Sequence, residues 1–313
     1  MLSINTPAKV NLFLNIRGQR PDGYHELCMV MQAITLFDTL TVWPNLEASE
    51  LVLTCDHPLL MTDNPADNLI SKAYELFFRW TELPALGLTV HLEKRIPVQA
   101  GLGGGSSDAA AMLQILNQLT CAELSYEELR QMATHLGADV PFFLTGGTAL
   151  ARGRGELIEP LLSSPVLPMV VIKPRTFGIA TVLAYNAYRE QGHYEIKSPE
   201  TLLNALNTFC MPAEVEPCLL NDFESVLFEQ HPLLARWARQ MQDLGIQRPL
   251  LSGSGPSLVG LIDDTSENRQ ILARYFPVAD FEVFWVTTHP AGMVSVAPDS
   301  TFDVAAVCFE RSG

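Results

Sequence analysis

No Gly-Lys pair occurs in these 313 residues, which excludes the Gly-x-x-x-x-Gly-Lys-Ser/Thr loop of Walker-type nucleotide binders. A dinucleotide fingerprint fails at Ser106, where glycine is needed three residues after Gly103, and a nucleophile elbow centred on Ser106 fails at Asp108. The His-Arg-Asp and Asp-Phe-Gly pieces of protein kinases are missing. Basic residues are scarce. Twenty Lys and Arg face 35 Asp and Glu, and a net charge of −15 argues against nucleic acid or an anionic membrane as partner, since both are held by neutralising phosphates. The six cysteines, at 28, 55, 121, 210, 218 and 308, show no Cys-x-x-Cys spacing and no crowding. Neither a zinc site nor a disulfide scaffold is suggested, and reduced, mostly structural thiols are expected. No apolar run approaches the roughly 20 residues of a membrane span, and no basic n-region precedes an apolar h-region, so a soluble, cytoplasmic protein is expected.

What is present suffices for one large core or two medium ones, with 48% hydrophobic side chains. Alternating residues predict strands over 8–16 and 33–43, joined across the Arg-Pro-Asp-Gly-Tyr turn at 20–24, and a third over 86–92. Helices are predicted at 67–80, 107–119 and 125–136, the last opening on a Ser125-x-x-Glu128 capping box. Three prolines and two serines between Glu159 and Pro168 place a domain boundary near 160, dividing the chain into 1–160 and 161–313. Beyond it a strand begins at Val170–Ile172. Helices follow near 178–190, 200–209 and 231–244, with strands near 256–262 and 282–287 and a last apolar run at 303–309. Strands and helices mix without strict alternation, which fits α+β layers better than a doubly wound sheet.

The most informative segment is Ile96-Pro-Val-Gln-Ala-Gly-Leu-Gly-Gly-Gly-Ser-Ser-Asp-Ala-Ala-Ala111. Glycines at 101, 103, 104 and 105 remove every Cβ that would hold a bulky anion off the backbone, and they permit the φ > 0 angles that turn N–H groups inward. Ser106 or Ser107 is expected to cap a helix whose apolar face runs through Ala109, Met112, Leu113 and Leu116. Its N-terminus then points at whatever the loop holds, and phosphate suits it.

Three further segments carry chemistry. Pro7-Ala-Lys-Val-Asn-Leu-Phe-Leu14 places Lys9, Asn11 and Phe13 on one strand face and Val10, Leu12 and Leu14 on the other, where a solvated lysine is as ordinary as a functional one. Gly137-Ala-Asp-Val-Pro-Phe-Phe143 sets Asp139 just past a helix C-terminus, where the dipole disfavours it. Leu251-Ser-Gly-Ser-Gly-Pro-Ser257 is a second small-residue loop, either a second wall for the same phosphates or a plain turn.

With Arg-Pro-Asp-Gly-Tyr-His-Glu-Leu at 20–27, these motifs closely resemble, in order and spacing, the GHMP kinase superfamily across nearly the whole chain. The resemblance implies two domains, an N-terminal one like ribosomal protein S5 domain 2 and a ferredoxin-like C-terminal one. It also implies transfer of the γ-phosphoryl group of ATP, with Mg²⁺, to an alcohol. The Asp-Gly-Tyr-His-Glu segment points to the branch whose acceptor is the 2-hydroxyl of a methylerythritol linked through a diphosphate to cytidine. Sister kinases for homoserine, mevalonate or sugars have no need of a cytosine clamp, and a regulatory relative has no need of a base.

By resemblance, Pro97, Val98, Gln99, Ala100, Gly101, Leu102, Gly103, Gly104, Gly105, Ser106 and Ser107 hold the ATP phosphates, while Lys94, Asn68 and Leu69 lie near the adenine. Asp139 corresponds to the catalytic base and Lys9 to its partner. Asn11 is implied near the phosphates, and Tyr24 and His25 correspond to residues that bind the cytidine. Thr181 and Tyr185 lie in the segment after Pro174 that supplies a second stacking aromatic, with Phe177 as the alternative. Val98-Gln99 and Leu251 depart from the usual family residues. The expected partners are small molecules, the chain being a monomer or weak homodimer.

Overall fold

The computed structural model describes residues 1–45, 47–57, 68–161, 165–208 and 212–296. Two long strands organise it. β1 (Leu2–Gln19) and β2 (His25–Pro44) pair antiparallel from Leu2↔Val42 to Gln19↔His25, and the turn between them closes with Gly23 N–H donating to the Arg20 carbonyl at 3.0 Å. β3 (Leu51–Cys55), β4 (Leu88–Glu93), β5 (Thr148–Gly153) and β6 (Leu157–Pro160) extend the sheet, β4 on the 39–44 half of β2 and β5 on its 27–32 half. One face of the sheet is covered by α1 (Leu69–Thr81), α2 (Gly104–Thr120), α3 (Tyr126–Leu136) and the short α4 (Val140–Thr145). From Ser107 to Leu113 every residue of α2 is buried, as expected of a helix enclosed on all sides.

A second, four-stranded antiparallel sheet has the order β11-β7-β10-β9, from β7 (Pro168–Pro174), β9 (Gln247–Leu251), β10 (Leu258–Leu261) and β11 (Phe281–Thr287). Its helices are α5 (Thr181–Gln191), α6 (Glu200–Asn207), α7 (Pro212–Val215), α8 (Glu224–Gln230), α9 (Pro232–Asp243) and α10 (Ser266–Tyr275). The chain returns twice to the first sheet, where β8 (Leu220–Asn221) and β12 (Val294–Val296) both pair with β1. The α+β mixture agrees with the sequence reading. The predicted run at 303–309 lies outside the described residues.

Three local expectations are corrected. The register of β1 shifts between Asn11 and Phe13, so two successive residues fall on one side of the sheet and the simple alternation breaks. Phe13 therefore packs with Val10 and Leu12, and Leu14 turns to the side of Lys9 and Asn11. The start of α2 also differs. Gly103 (φ 73°) is its N-cap and the helix begins at Gly104, which leaves Ser106 and Ser107 inside the first turn instead of capping it. The cysteine expectation fails in part, because Cys28, Cys55 and Cys218 are free thiols whereas Cys121 is disulfide-bonded, which the spacing along the chain does not reveal.

Candidate active site

Between the two sheets lies a cleft of about 840 Å³, entered by both small-residue loops. The glycine loop is pinned to β1, since the Lys9 N–H donates to the Leu102 carbonyl at 2.9 Å. A Cβ on Gly103 would lie 2.7 Å from the Phe143 ring, so the chain passes there only as glycine. The N–H groups of the first turn of α2 have no intrahelical acceptor and face the loop. The second loop, between β9 and β10, seats against the first: Ser252 Oγ donates to the Gly101 carbonyl at 3.0 Å, and Gly253 and Ser254 line the same cleft. Asn221, nearly fully buried, anchors that loop by donating to the carbonyls of Leu251 and Gly253, each at 2.8 Å.

Lys9 is not solvated. Its side chain is 5% exposed, its ammonium donates to Asn11 Oδ1 at 2.7 Å, and Asp139 Oδ2 lies 3.6 Å away. Asp139 follows the C-terminal residues of α3 but is also the N-cap residue of α4. The expected electrostatic penalty is thus met by the positive end of a second helix. Its carboxylate, 34% exposed, opens onto the cleft.

At the other end stand aromatic rings. His25 stacks on Tyr185 with centroids 4.9 Å apart and planes 20° from parallel, and Phe223 meets Tyr185 edge-on at 4.9 Å. His25 Nε2 is buried and has no hydrogen-bond partner among the described residues. Burial pushes the imidazole below its ordinary pKa, with the charge of Arg189 adding to the effect, so the ring is neutral at pH 7. Burial likewise raises the Tyr185 hydroxyl, and the Asp139 carboxylate raises it further. Tyr24 is exposed at the rim with the Arg154 guanidinium 4.8 Å above its ring. Thr181 Oγ1 meets Ser254 Oγ at 3.0 Å. Phe177 instead packs edge-on against His231 and Trp237, away from the cleft lining.

Of the residues singled out in the sequence, the cleft brings together Lys9, Asn11, Tyr24, His25, Gly101, Gly103, Ser106, Asp139, Thr181 and Tyr185. Ala100 and Leu102 bury their side chains in the apolar core on the far face of the sheet. Asn68 caps α1 by accepting from Ile70 N–H at 2.9 Å, and Leu69 lies beside Gly105. Lys94 is drawn elsewhere: its ammonium is 4% exposed and binds Asp38 and Asp108 behind α2. Arg154, Arg189 and Phe223 also line the cleft without a motif that announced them.

The glycine loop over a helix start, with a lysine and a carboxylate across the cleft, on this two-sheet frame, defines a small-molecule kinase of the GHMP class. The family model for the GHMP kinases N terminal domain matches residues 68–147. A Synechococcus protein named 4-diphosphocytidyl-2-C-methyl-D-erythritol kinase is 38% identical over 301 residues, covering 93% of this chain and 95% of its own. One of the same name from Pelotomaculum thermopropionicum is 40% identical over 268 residues, 86% of this chain and 91% of its own. A crystal structure of 4-(cytidine 5'-diphospho)-2C-methyl-D-erythritol kinase superposes with a TM-score of 0.75 at 36% identity, covering 92% of this chain and 99% of that one. A homoserine kinase from Cytophaga hutchinsonii shares the fold, with a TM-score of 0.72 at 17% identity over 94% of this chain and 97% of its own. The chain belongs to the 4-diphosphocytidyl-2-C-methyl-D-erythritol kinase family. It is an ATP-dependent kinase for a small-molecule alcohol.

Proposed function

We propose that this chain transfers the γ-phosphoryl group of ATP to the 2-hydroxyl of 4-diphosphocytidyl-2-C-methyl-D-erythritol, giving the 2-phosphate and ADP in the non-mevalonate route to isopentenyl diphosphate. The observation that carries the acceptor assignment is the buried, unpartnered Nε2 of His25, set in an aromatic wall on the same cleft as the glycine loop. A buried imidazole nitrogen without a partner is costly, and the edge of a cytosine supplies one.

Phosphoryl transfer is largely a matter of positioning and charge stabilisation. The loop 97–107 holds the ATP phosphates on backbone N–H groups, and Ser252–Ser257 closes the opposite wall. Asp139 accepts the hydroxyl proton, and Lys9, fixed by Asn11, holds the hydroxyl and the moving phosphoryl group. Tyr24, His25 and Tyr185 hold the cytidine, with Thr181 at the seam between α5 and the second loop. Asn68 and Leu69 flank the adenine side of the loop.

No group of three or more His, Cys, Asp or Glu able to hold a metal occurs among the described residues. Mg²⁺ keeps several waters and rides on substrate phosphates with one or two protein ligands. Ser107 Oγ, buried at the first turn of α2 without a partner among the described residues, is the oxygen that would hold it. Bound there, the ion would supply neutralisation of phosphate charge. No helix among the described residues is long and apolar enough to cross a membrane. The net charge of −15 disfavours a nucleic-acid partner, and the chain is proposed to act in the cytoplasm as a monomer or weak homodimer divided near residue 160.

The decisive experiment offers ATP with the diphosphocytidyl acceptor, mevalonate or homoserine and identifies the phosphorylated product by mass. Turnover confined to the first acceptor is expected. Preference for either of the others would transfer the chain to a sister activity.

A further inference from the structure

Behind the glycine loop, away from the cleft, four elements meet at one buried ion cluster. Asp38 on β2 is fully buried, and its Oδ1 accepts the backbone N–H groups of Arg95 at 2.6 Å and Ile96 at 2.8 Å. The Lys94 ammonium bridges Asp38 Oδ2 to Asp108 Oδ2 on α2, the latter at 2.9 Å. Thr6 Oγ1 on β1 donates to Asp108 Oδ1 at 2.7 Å. The ammonium also lies directly under the helix start, for a Cβ on Gly104 would fall 2.8 Å from it. The cluster thus ties the strand before the loop, the helix after it and both central strands into one unit. Burying an ammonium between two carboxyl groups is expensive, and the structure offsets that cost with hydrogen-bond partners on each of the three side chains.

We propose that Asp38, Lys94 and Asp108 form a positioning cluster for the nucleotide, in which Lys94 fixes the first turn of α2 so that its N–H groups meet the phosphates, without itself touching ATP. Lys94 is 4% exposed, its ammonium is engaged by both carboxylates, and it is not among the residues that line the cleft. The inference rests on the reading that the loop 97–107 holds ATP.

The test measures ATP affinity by calorimetry, and kcat and both KM values by turnover, for the full chain and four variants, with thermal unfolding as a check on folding. Lys94→Met leaves two buried carboxylates facing each other, and the ATP KM should rise about tenfold or more while kcat and the acceptor KM change less than about threefold. The triple variant Lys94→Met/Asp38→Asn/Asp108→Asn restores a neutral, isosteric cluster and should recover the ATP KM to within about threefold of the parent. Asp108→Asn alone, which keeps the shape, should raise the ATP KM by about three- to tenfold, and it serves where Lys94→Met does not fold. Gly103→Val, which obstructs the loop itself, should abolish ATP binding. A triple variant as weak as Lys94→Met would make Lys94 a direct nucleotide ligand and overturn the proposal, as would an unchanged ATP KM in Asp108→Asn. If the parent binds ATP and Gly103→Val binds it equally well, the reading of the loop fails instead.

Discussion

The ammonium of Lys9 stands 3.6 Å from Asp139 and 2.7 Å from Asn11, so one buried cation serves both a strand neighbour and a carboxylate from the far side of the cleft. At that separation the carboxylate remains open to the cleft, where an acceptor hydroxyl can reach it. Asp139→Asn is expected to retain ATP affinity and to slow transfer by about 10²–10⁴-fold, the range of a lost general base. Single-turnover rates at saturating substrates check this, and a near-parental rate removes Asp139 from the chemistry.

Tyr24→Ala and His25→Ala should raise the acceptor KM and leave the ATP KM nearly unchanged. Base stacking is worth roughly 1–3 kcal/mol at Tyr24, and the hydrogen bond at His25 roughly 0.5–1.5 kcal/mol. An acceptor without its cytidine should serve the parent poorly and the variants no worse. Equal use of the truncated acceptor by the parent would refute the clamp.

The two aromatic candidates after Pro174 separate cleanly. Tyr185→Ala should weaken acceptor binding, because its ring backs His25 on the cleft. Phe177→Ala should leave both KM values alone and cost roughly 2 kcal/mol of stability, less than a fully buried phenylalanine, since it packs on His231 and Trp237. Steady-state kinetics and denaturant unfolding on the pair decide it.

Burial first, then the neighbouring charge of Asp108, push the Asp38 carboxyl up to about 7. The unfolded chain releases that proton near the ordinary carboxylate pKa of about 3.9. Between about pH 4 and pH 7 the folded state therefore holds a proton that the unfolded state has lost, and this group's contribution to stability falls as pH rises through the window. Asp108→Asn removes the like charge and should flatten that fall. Melting curves between pH 5 and 8 test it, and parallel slopes in parent and variant would count against the coupling.

Much of this was legible because the informative residues were local. The Ser125–Glu128 box forms as read, with Ser125 N–H donating to Glu128 Oε2 at 2.8 Å, and the glycine loop announced itself by composition. The strand pair joined at 20–24 was readable from alternation and a turn motif. What failed depended on a partner outside the segment. The shift after Asn11 is set by pairing with β2 and moves Phe13 to the other face. Lys94 reads as a basic residue beside a phosphate loop until Asp38 and Asp108 arrive from two other elements to claim it. Arg154 reaches the cleft only because β5 lies beside β2.

The return of Leu220–Asn221 to β1 also carries a consequence for biosynthesis. Asn221 pairs with Leu14, next along the strand that bears Lys9 and Asn11, and it ties down the second loop through Leu251 and Gly253. A nascent chain leaving the ribosome can shape the glycine loop early, yet the strand that bears Lys9 stays short of a neighbour until more than two hundred residues have been made. Vectorial synthesis thus delays completion of the reactive cleft, and a stalled or truncated product would carry a phosphate cradle without the opposite wall.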